Sequence, residues 1–329
     1  MAREIGRLNQ FGIGIETTKG TAVGATVWIP AEEASLQHRV ENVKNESGYG
    51  VIEANSDAHI TQVSSEFSAS GIVFSNTIGY MLLLALGQVA APALQETGVY
   101  KHAFTRKNDN NHPSTTILKE NSTQDEQSAY HMADSLSMSF EVGDYMKYEF
   151  SSMGKGVATA TGLTPAYIAE EAFKTSKVYV KFATDIAGLG VASKVAVQSG
   201  SIEISKNLEA IYSTATTSTD AVELSSQHNK QLEISGEFEM VYDSTTYKTL
   251  ASNLTKQAIE ITVEGTTLIG ATKYNTLTIR VASAVLENLE ESGGLDDIRT
   301  VTFGFVGLYK LAETKSIEID LINTKSTSY

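Results

Sequence analysis

Between residues 231 and 253 the chain alternates apolar and polar side chains and then changes period. Leu232, Ile234, Phe238 and Met240 stand against Gln231, Glu233, Glu237 and Glu239, the period-2 pattern of a half-buried strand. Asp243 and Ser244 follow at a helix N-cap position, and Tyr247, Leu250 and Leu254 recur at three- and four-residue spacing as one face of a short amphipathic helix. A strand running straight into a helix is predicted. The same unit stands once before, at residues 65–87, where Ser70-Gly71 matches Ser235-Gly236 and Ser75-Asn76 matches the Asp243-Ser244 cap. Gly71 and Gly236 are 165 residues apart in a chain of 329, which predicts an internal duplication.

The remaining pattern fits two halves. Phe11, Ile13 and Ile15 form an opening strand, residues 16–25 a turn-rich loop closed by Trp28-Ile29-Pro30, and residues 35–40 a short strand. Residues 41–56 are polar and glycine-containing and are expected as an excursion without regular structure. The strand at 60–74 and the helix at 75–87 follow, then a loop at 88–98, strands at 99–106 and 115–119, and a polar loop at 120–131. Leu136, Met138, Phe140 and Val142 alternate with Ser137, Ser139 and Glu141, Gly143-Asp144 turns, and residues 145–151 return as a hairpin. Residues 152–165 read as a linker. In the second half Val178, Val180 and Phe182 stand for Phe11, Ile13 and Ile15, residues 201–204 for 35–38, and the tract 213–220 for the first excursion. Thr278-Ile279 is matched to Thr116-Ile117, Val301, Phe303 and Phe305 to Leu136, Met138 and Phe140, and Ile317, Ile319 and Leu321 close the chain. The predicted fold is all-β with one short helix per half: two tandem antiparallel sandwich or half-barrel domains, 1–165 and 166–329.

Length agrees, since 329 residues exceed what one core usually serves. A net charge of −14, from 25 basic and 39 acidic residues, argues against grasping nucleic acid by its phosphates. With no cysteine there is neither a disulfide nor a thiolate metal site. The first 16 residues lack an apolar core, and the longest apolar run, residues 78–86, is too short for a bilayer, so neither a signal peptide nor a membrane association is expected.

Catalytic patterns are missing. The six histidines have no metal-ligand spacing, Gly154-Lys155-Gly156 lacks the rest of a phosphate loop, and no G-x-S-x-G elbow occurs. Glu290-Glu291 and Asp296-Asp297 read as solvated loop charge. Neither enzyme activity nor a cofactor is expected.

The order Gly14-Ile15-Glu16-Thr17, Gly20-Thr21-Ala22, Trp28-Ile29-Pro30, the strand–helix unit, then His112-Pro113-Ser114-Thr115-Thr116-Ile117 before the hairpin resembles the major tail tube proteins of long, non-contractile-tailed bacteriophages. The resemblance implies two roughly orthogonal sheets with a flanking helix in each domain, and rings of sixfold symmetry stacked around passing DNA. It also implies a place in the virion after synthesis in the host cytoplasm, with tape measure, tail tip and terminator proteins as partners. Two domains per chain imply a homotrimeric, pseudo-hexameric ring. About four lumen-facing strands per domain give about 24 per ring, a circumference of roughly 150 Å and a diameter of about 48 Å. The carboxylates expected to line that lumen are Glu141, Glu203, Glu233, Glu237, Glu239, Glu318 and Asp320. DNA is expected to pass there without specific binding. The excursions at 41–58 and 207–227 are expected to be poorly ordered alone and to make the contacts between rings, through Ser47, Tyr49, Asn55, Tyr212, Thr216 and Asp220. A tandem β-sandwich adhesion module is the alternative reading.

Overall fold

Alternating burial along strands builds the molecule around one long sheet. The computed structural model describes residues 5–213, 222–242, 244–293 and 298–329. In the first half the strands are β1 (Gln10–Ile15), β2 (Val27–Ile29), β3 (Glu33–Asn45) and β4 (Asp57–Ile72), then helix α1 (Thr77–Leu86). They continue as β5 (Gly87–Val89), β6 (Ala93–Glu96), β7 (Val99–Arg106), β8 (Thr115–Glu120), β9 (Glu126–Glu141), β10 (Lys147–Gly154) and β11 (Ala158–Thr159). The second half begins with β12 (Val178–Ala183), helix α2 (Ile186–Leu189), β13 (Ser199–Ser205), β14 (Leu208–Tyr212), β15 (Val222–Asn229) and β16 (Glu233–Val241). It ends with helix α3 (Thr246–Ser252), β17 (Gln257–Leu268), β18 (Tyr274–Ser292), β19 (Thr300–Gly307) and β20 (Ile317–Asn323). The chain is all-β with short helices.

Pairing follows one order in each half. In the first, β1 pairs with β8, β8 with β9, β9 with β10, β10 with β4 and β4 with β3. In the second, β12 pairs with β17, β17 with β18, β18 with β19, β19 with β16 and β16 with β13. β13 then lies antiparallel to β9, from Ser199 opposite Glu141 to Ser205 opposite Ser135. The result is an eight-stranded antiparallel sheet, β3-β4-β10-β9-β13-β16-β19-β18, with four strands from each half. The long strands β9 and β18 leave it at their N-terminal ends to join outer sheets, β9 beside β8 and β18 between β17 and β20.

One face of this sheet makes the core. Phe67, Phe150, Ile204, Phe238, Phe303 and Phe305 are fully buried on it, and Phe238 stacks on Phe305 with centroids 5.2 Å apart. Each such side chain contributes about 1.5–3 kcal/mol on leaving water. α1 lies within the helix expected at 75–87 and is buried over all ten residues, so it is a core helix and not a flanking one. Neither Ser75 nor Asn76 caps it with a side chain. The Glu170 carboxylate does, accepting the Asn76 and Thr77 backbone N–H at 2.7 and 2.8 Å. At the other end Gly87 takes a left-handed φ of 87° where its missing Cβ leaves room for the His112 ring. Asp243, expected to cap α3, lies outside the described residues, while the Ser244 hydroxyl accepts the Thr246 N–H at 3.1 Å.

Several expectations are corrected. Residues 41–45 are strand and not part of an irregular excursion: β3 and β4 stay paired out to Asn45 opposite Asp57, forming an arm, while residues 46–56 at its far end have no regular element, as expected, and are exposed. In the second excursion β14 pairs with β15 and the pair folds against the first half, where the Gln227 amide donates to the Tyr130 and Met153 carbonyls at 2.7 and 3.0 Å; residues 214–221, most of the tract matched to the first excursion, lie outside the described residues. Residues 126–131 belong to β9, and the segment 88–98 contains β6 and the end of β5. The region read as linker includes the end of β10 and all of β11. Val301, Phe303 and Phe305 occupy the place of β10, not β9, and Thr278-Ile279 that of β9, not β8. β5, β6 and β7 stand between α1 and β8, whereas β17 follows α3 directly, so beyond that point a constant offset does not bring together strands that hold the same position in the pairing order.

Candidate functional site

The other face of the eight-stranded sheet is open and polar. Cross-strand register sets its side chains in rows. One runs Ser35, Ser68, Ser151, Ser135, Ser205, Glu233; the next runs Glu33, Ser70, Glu149, Ser137, Glu203, Ser235. Two further rows carry Lys147, Ser139, Ser201, Glu237 and Glu287, then Glu141, Ser199, Glu239 and Glu290. The Ser35 and Ser68 hydroxyls lie 3.1 Å apart and those of Ser135 and Ser151 2.8 Å, so short hydroxyls tie strands together while carboxylates stand above them. A trough follows the second row, lined by Glu33, Ser70, Ser137, Glu149 and Glu203. Cations here are few. Lys147 pairs with Asp144 at 2.6 Å and Arg39 with Glu66 at 2.7 Å, both exposed.

Five of the seven carboxylates singled out in the sequence share this face: Glu141, Glu203, Glu233, Glu237 and Glu239. Glu318 and Asp320 do not. They sit on β20 in the outer sheet, where the Arg280 guanidinium reaches Asp320 at 2.8 Å, Glu318 at 3.3 Å and Glu260 at 2.8 Å. Lys101 adds a contact to Asp320 at 3.0 Å and Lys315 one to Glu318 at 2.6 Å. Burial disfavours the Arg280 cation, but hydrogen bonds to Asp320 and Glu260 outweigh it and raise its pKa. This cluster joins strands. Glu33, Glu66, Glu149 and Glu287 belong to the open face and escape sequence reading, although the spacing of Glu66, Ser68 and Ser70 carries the signal. Glu290 and Glu291 are on β18, not in a loop.

The arm is the second surface. Its tip, residues 46–56, contains Ser47, Tyr49 and Asn55 and is closed by the Ser56 N–H donating to the Asn45 carbonyl at 2.9 Å. Tyr49, Val51 and Ile52 are more than half exposed there, as is Val43 on β3 beside it. The β14–β15 pair is placed differently. Tyr212 packs with Leu208 and Ala210 against Tyr130, Met132 and Leu224. Thr216 and Asp220 lie outside the described residues. The arm and this pair touch where β15 runs parallel to β4, Val222 opposite Gln62.

Buried polar groups fix the first half beneath this sheet. The Glu16 carboxylate accepts from Gly20 N–H, Ser114 Oγ, Thr116 Oγ1 and Tyr130 N–H between 2.6 and 2.9 Å, which satisfies a buried charge by four donors. His131 contacts Ser152 Oγ through Nδ1, and Ser65 and Ser128 through Nε2; burial pushes its pKa down to about 3, keeping the ring neutral.

A long sheet with its core on one side and an open carboxylate surface on the other, plus a projecting arm, defines a β-sheet protein whose exposed chemistry is a surface and not a cleft. Comparison with known families takes this further. The family described as phage tail tube protein matches residues 6–307, and the chain belongs to that family. It is thus a structural protein of the virion that assembles into a tube with other tail proteins. A search of curated proteins finds no match.

Proposed function

We propose that three copies close into a ring of pseudo-sixfold symmetry, and that rings stack into the hollow tube of a long, non-contractile tail through which genomic DNA passes. The observation that carries this reading is the eight-stranded sheet. Its four strands from each half, in one pairing order, support residues 1–165 and 166–329 as two quasi-equivalent tail tube domains derived by duplication. Three such sheets supply about 24 strands, enough for a barrel about 48 Å across the backbone. A duplex fits inside.

The open face is the lumen wall in this reading, with Glu141, Glu203, Glu233, Glu237 and Glu239 joined by Glu33, Glu149 and Glu287. Lysine or arginine there would gain affinity with each phosphate neutralised and would brake a sliding polymer. Carboxylates repel the phosphates and leave water and counterions between wall and DNA. The role is structural, not enzymatic, and DNA is conducted without specific binding. Stacking uses the arm, through Ser47, Tyr49 and Asn55. The tape measure, tail tip and terminator proteins meet the tube inside and at its ends. Negative-stain images of the purified chain test the reading: rings or tubes with a central hole are expected, and particles with no hole at any concentration contradict it.

A further inference from the structure

We infer that the ring closes through one defined seam: the outer edge of β18 in one copy pairs antiparallel with the outer edge of β3 in the next, with Ser292 opposite Ser35, Glu290 opposite Gln37 and Glu287 opposite Arg39. This rests on the trimeric ring proposed above and adds the residues that make it.

Both edges are free. Among the described residues β3 pairs only with β4, and β18 beyond Val285 pairs only with β19. An unpaired sheet edge is a row of unmet donors and acceptors that recruits another strand. The chain already contains the matching joint, because β9 holds in the first half the place of β18 in the second, and β13 holds that of β3. The β9·β13 contact inside one copy is therefore the template for β18·β3 between copies.

Strand ends set the register. β3 and β13 open at Glu33 and Ser199. β4 and β16 end at Ile72 and Val241, each five residues before the helix that opens at Thr77 or Thr246. β10 and β19 are both eight residues long. Under this match the row Glu33, Ser70, Glu149, Ser137 becomes Ser199, Glu239, Thr302, Glu290, and each neighbouring pair in the second row is in fact opposite. A bulge in β18 then sets Glu287 opposite Gly304, as Ser135 is opposite Ser151. Carrying over the observed pairs Ser139–Ser201, Ser137–Glu203 and Ser135–Ser205 gives the three pairs of the seam.

Barrel geometry separates this register from its rival. The row that starts at Glu33 crosses four strands and reaches Glu203, four residues along β13 from Ser199, the equivalent of Glu33. A shift of four residues per four strands equals the ratio in a barrel of eight strands and shear 8, whose strands tilt by about 36°. Aligning Ser70 with Ser235 instead sets Val285 opposite Glu33 and gives no shift, hence no tilt, which a closed barrel requires. Charge agrees as well. Glu287 is exposed, and the seam brings it to Arg39, whose present partner Glu66 is also exposed.

The native chain has no cysteine, so paired cysteines report the seam cleanly. Assembled S35C/S292C, treated with a short bis-maleimide, is expected to give a closed three-chain product at least ten-fold more abundant than from V285C/E33C. Charge exchange adds an independent arm: R39E should lower ring yield about ten-fold and R39E/E287R should restore it. Preferential linking of V285C/E33C, or intact rings in which neither pair links and E287R gives no rescue, overturns the seam while leaving the tube reading standing. Absence of rings from the unaltered chain removes both.

Discussion

Lys206 Nζ donates to the Leu84 carbonyl oxygen at 2.6 Å, so a residue from the second half closes the C-terminus of the helix in the first. A cation suits that helix end, but burial pushes the Lys206 pKa down to about 7. The His112 ring beside it, 3.3 Å from Nζ, is pushed down to about 4 by burial and by the Lys206 charge.

Below pH 7 Lys206 is protonated in both states and its burial cost is fully present; between 7 and its unfolded value the unfolded chain holds one more proton, so stability rises with pH. K206M is expected to flatten that rise by up to about 1.4 kcal/mol per pH unit. Urea unfolding of native chain and variant at pH 7, 8 and 9 measures it, and parallel curves would refute it.

His131 acts lower on the scale. Its folded value near 3 lies below the ordinary 6.5, so its contribution is present above 6.5 and is lost as pH falls toward 3. H131N, which keeps one donor and one acceptor, should lose part of the native stability at pH 7. It should also show a slope between pH 6 and 4 shallower by about 1.4 kcal/mol per unit. An unchanged slope would mean that His131 is protonated in the fold.

What sequence reveals here depends on burial. Leu136, Met138 and Phe140 are legible because one face of β9 is in the core, and β7 has the bounds that alternation predicts. The arm is not legible, since Val40 to Asn45 is exposed on both faces and no period survives. α1 is legible as a helix, but its enclosure on all sides is not, because it leaves no polar stripe to mark a face. Glu318 and Glu237 look alike in sequence, each alternating with apolar neighbours. Only the position of Arg280 on the adjacent strand separates a carboxylate locked in an ion cluster from one on an open face. Glu33 and Glu149 stay hidden because their rows exist only after six strands are in register.

Gly79 and Tyr329 form a second link between the halves. A Cβ on Gly79 would fall 2.2 Å from the Tyr329 ring, whose hydroxyl donates to Asn76 Oδ1 at 3.0 Å and accepts from Asn323 Nδ2 at 2.6 Å. G79A should cost about 1–3 kcal/mol by overpacking. In Y329A the same change should become neutral or stabilising, as alanine in a helix normally is relative to glycine. A double-mutant cycle by urea unfolding decides; additive effects would contradict the contact.

The arm tip makes a separate prediction about stacking. Removing residues 47–55 leaves the paired strands of the arm base and all eight strands of the long sheet. Rings should form and tubes should not. Tubes of normal length from this deletion, seen by negative stain, would reassign the contact between rings.

The central claim is that the open carboxylate face of the eight-stranded sheet lines a channel closed by three chains. A cryo-EM reconstruction of the assembled protein measures it directly. Three chains per ring are predicted, with Glu203, Glu233, Glu237 and Glu239 facing the lumen. Six chains per ring, or those four side chains on the outer surface, would contradict it.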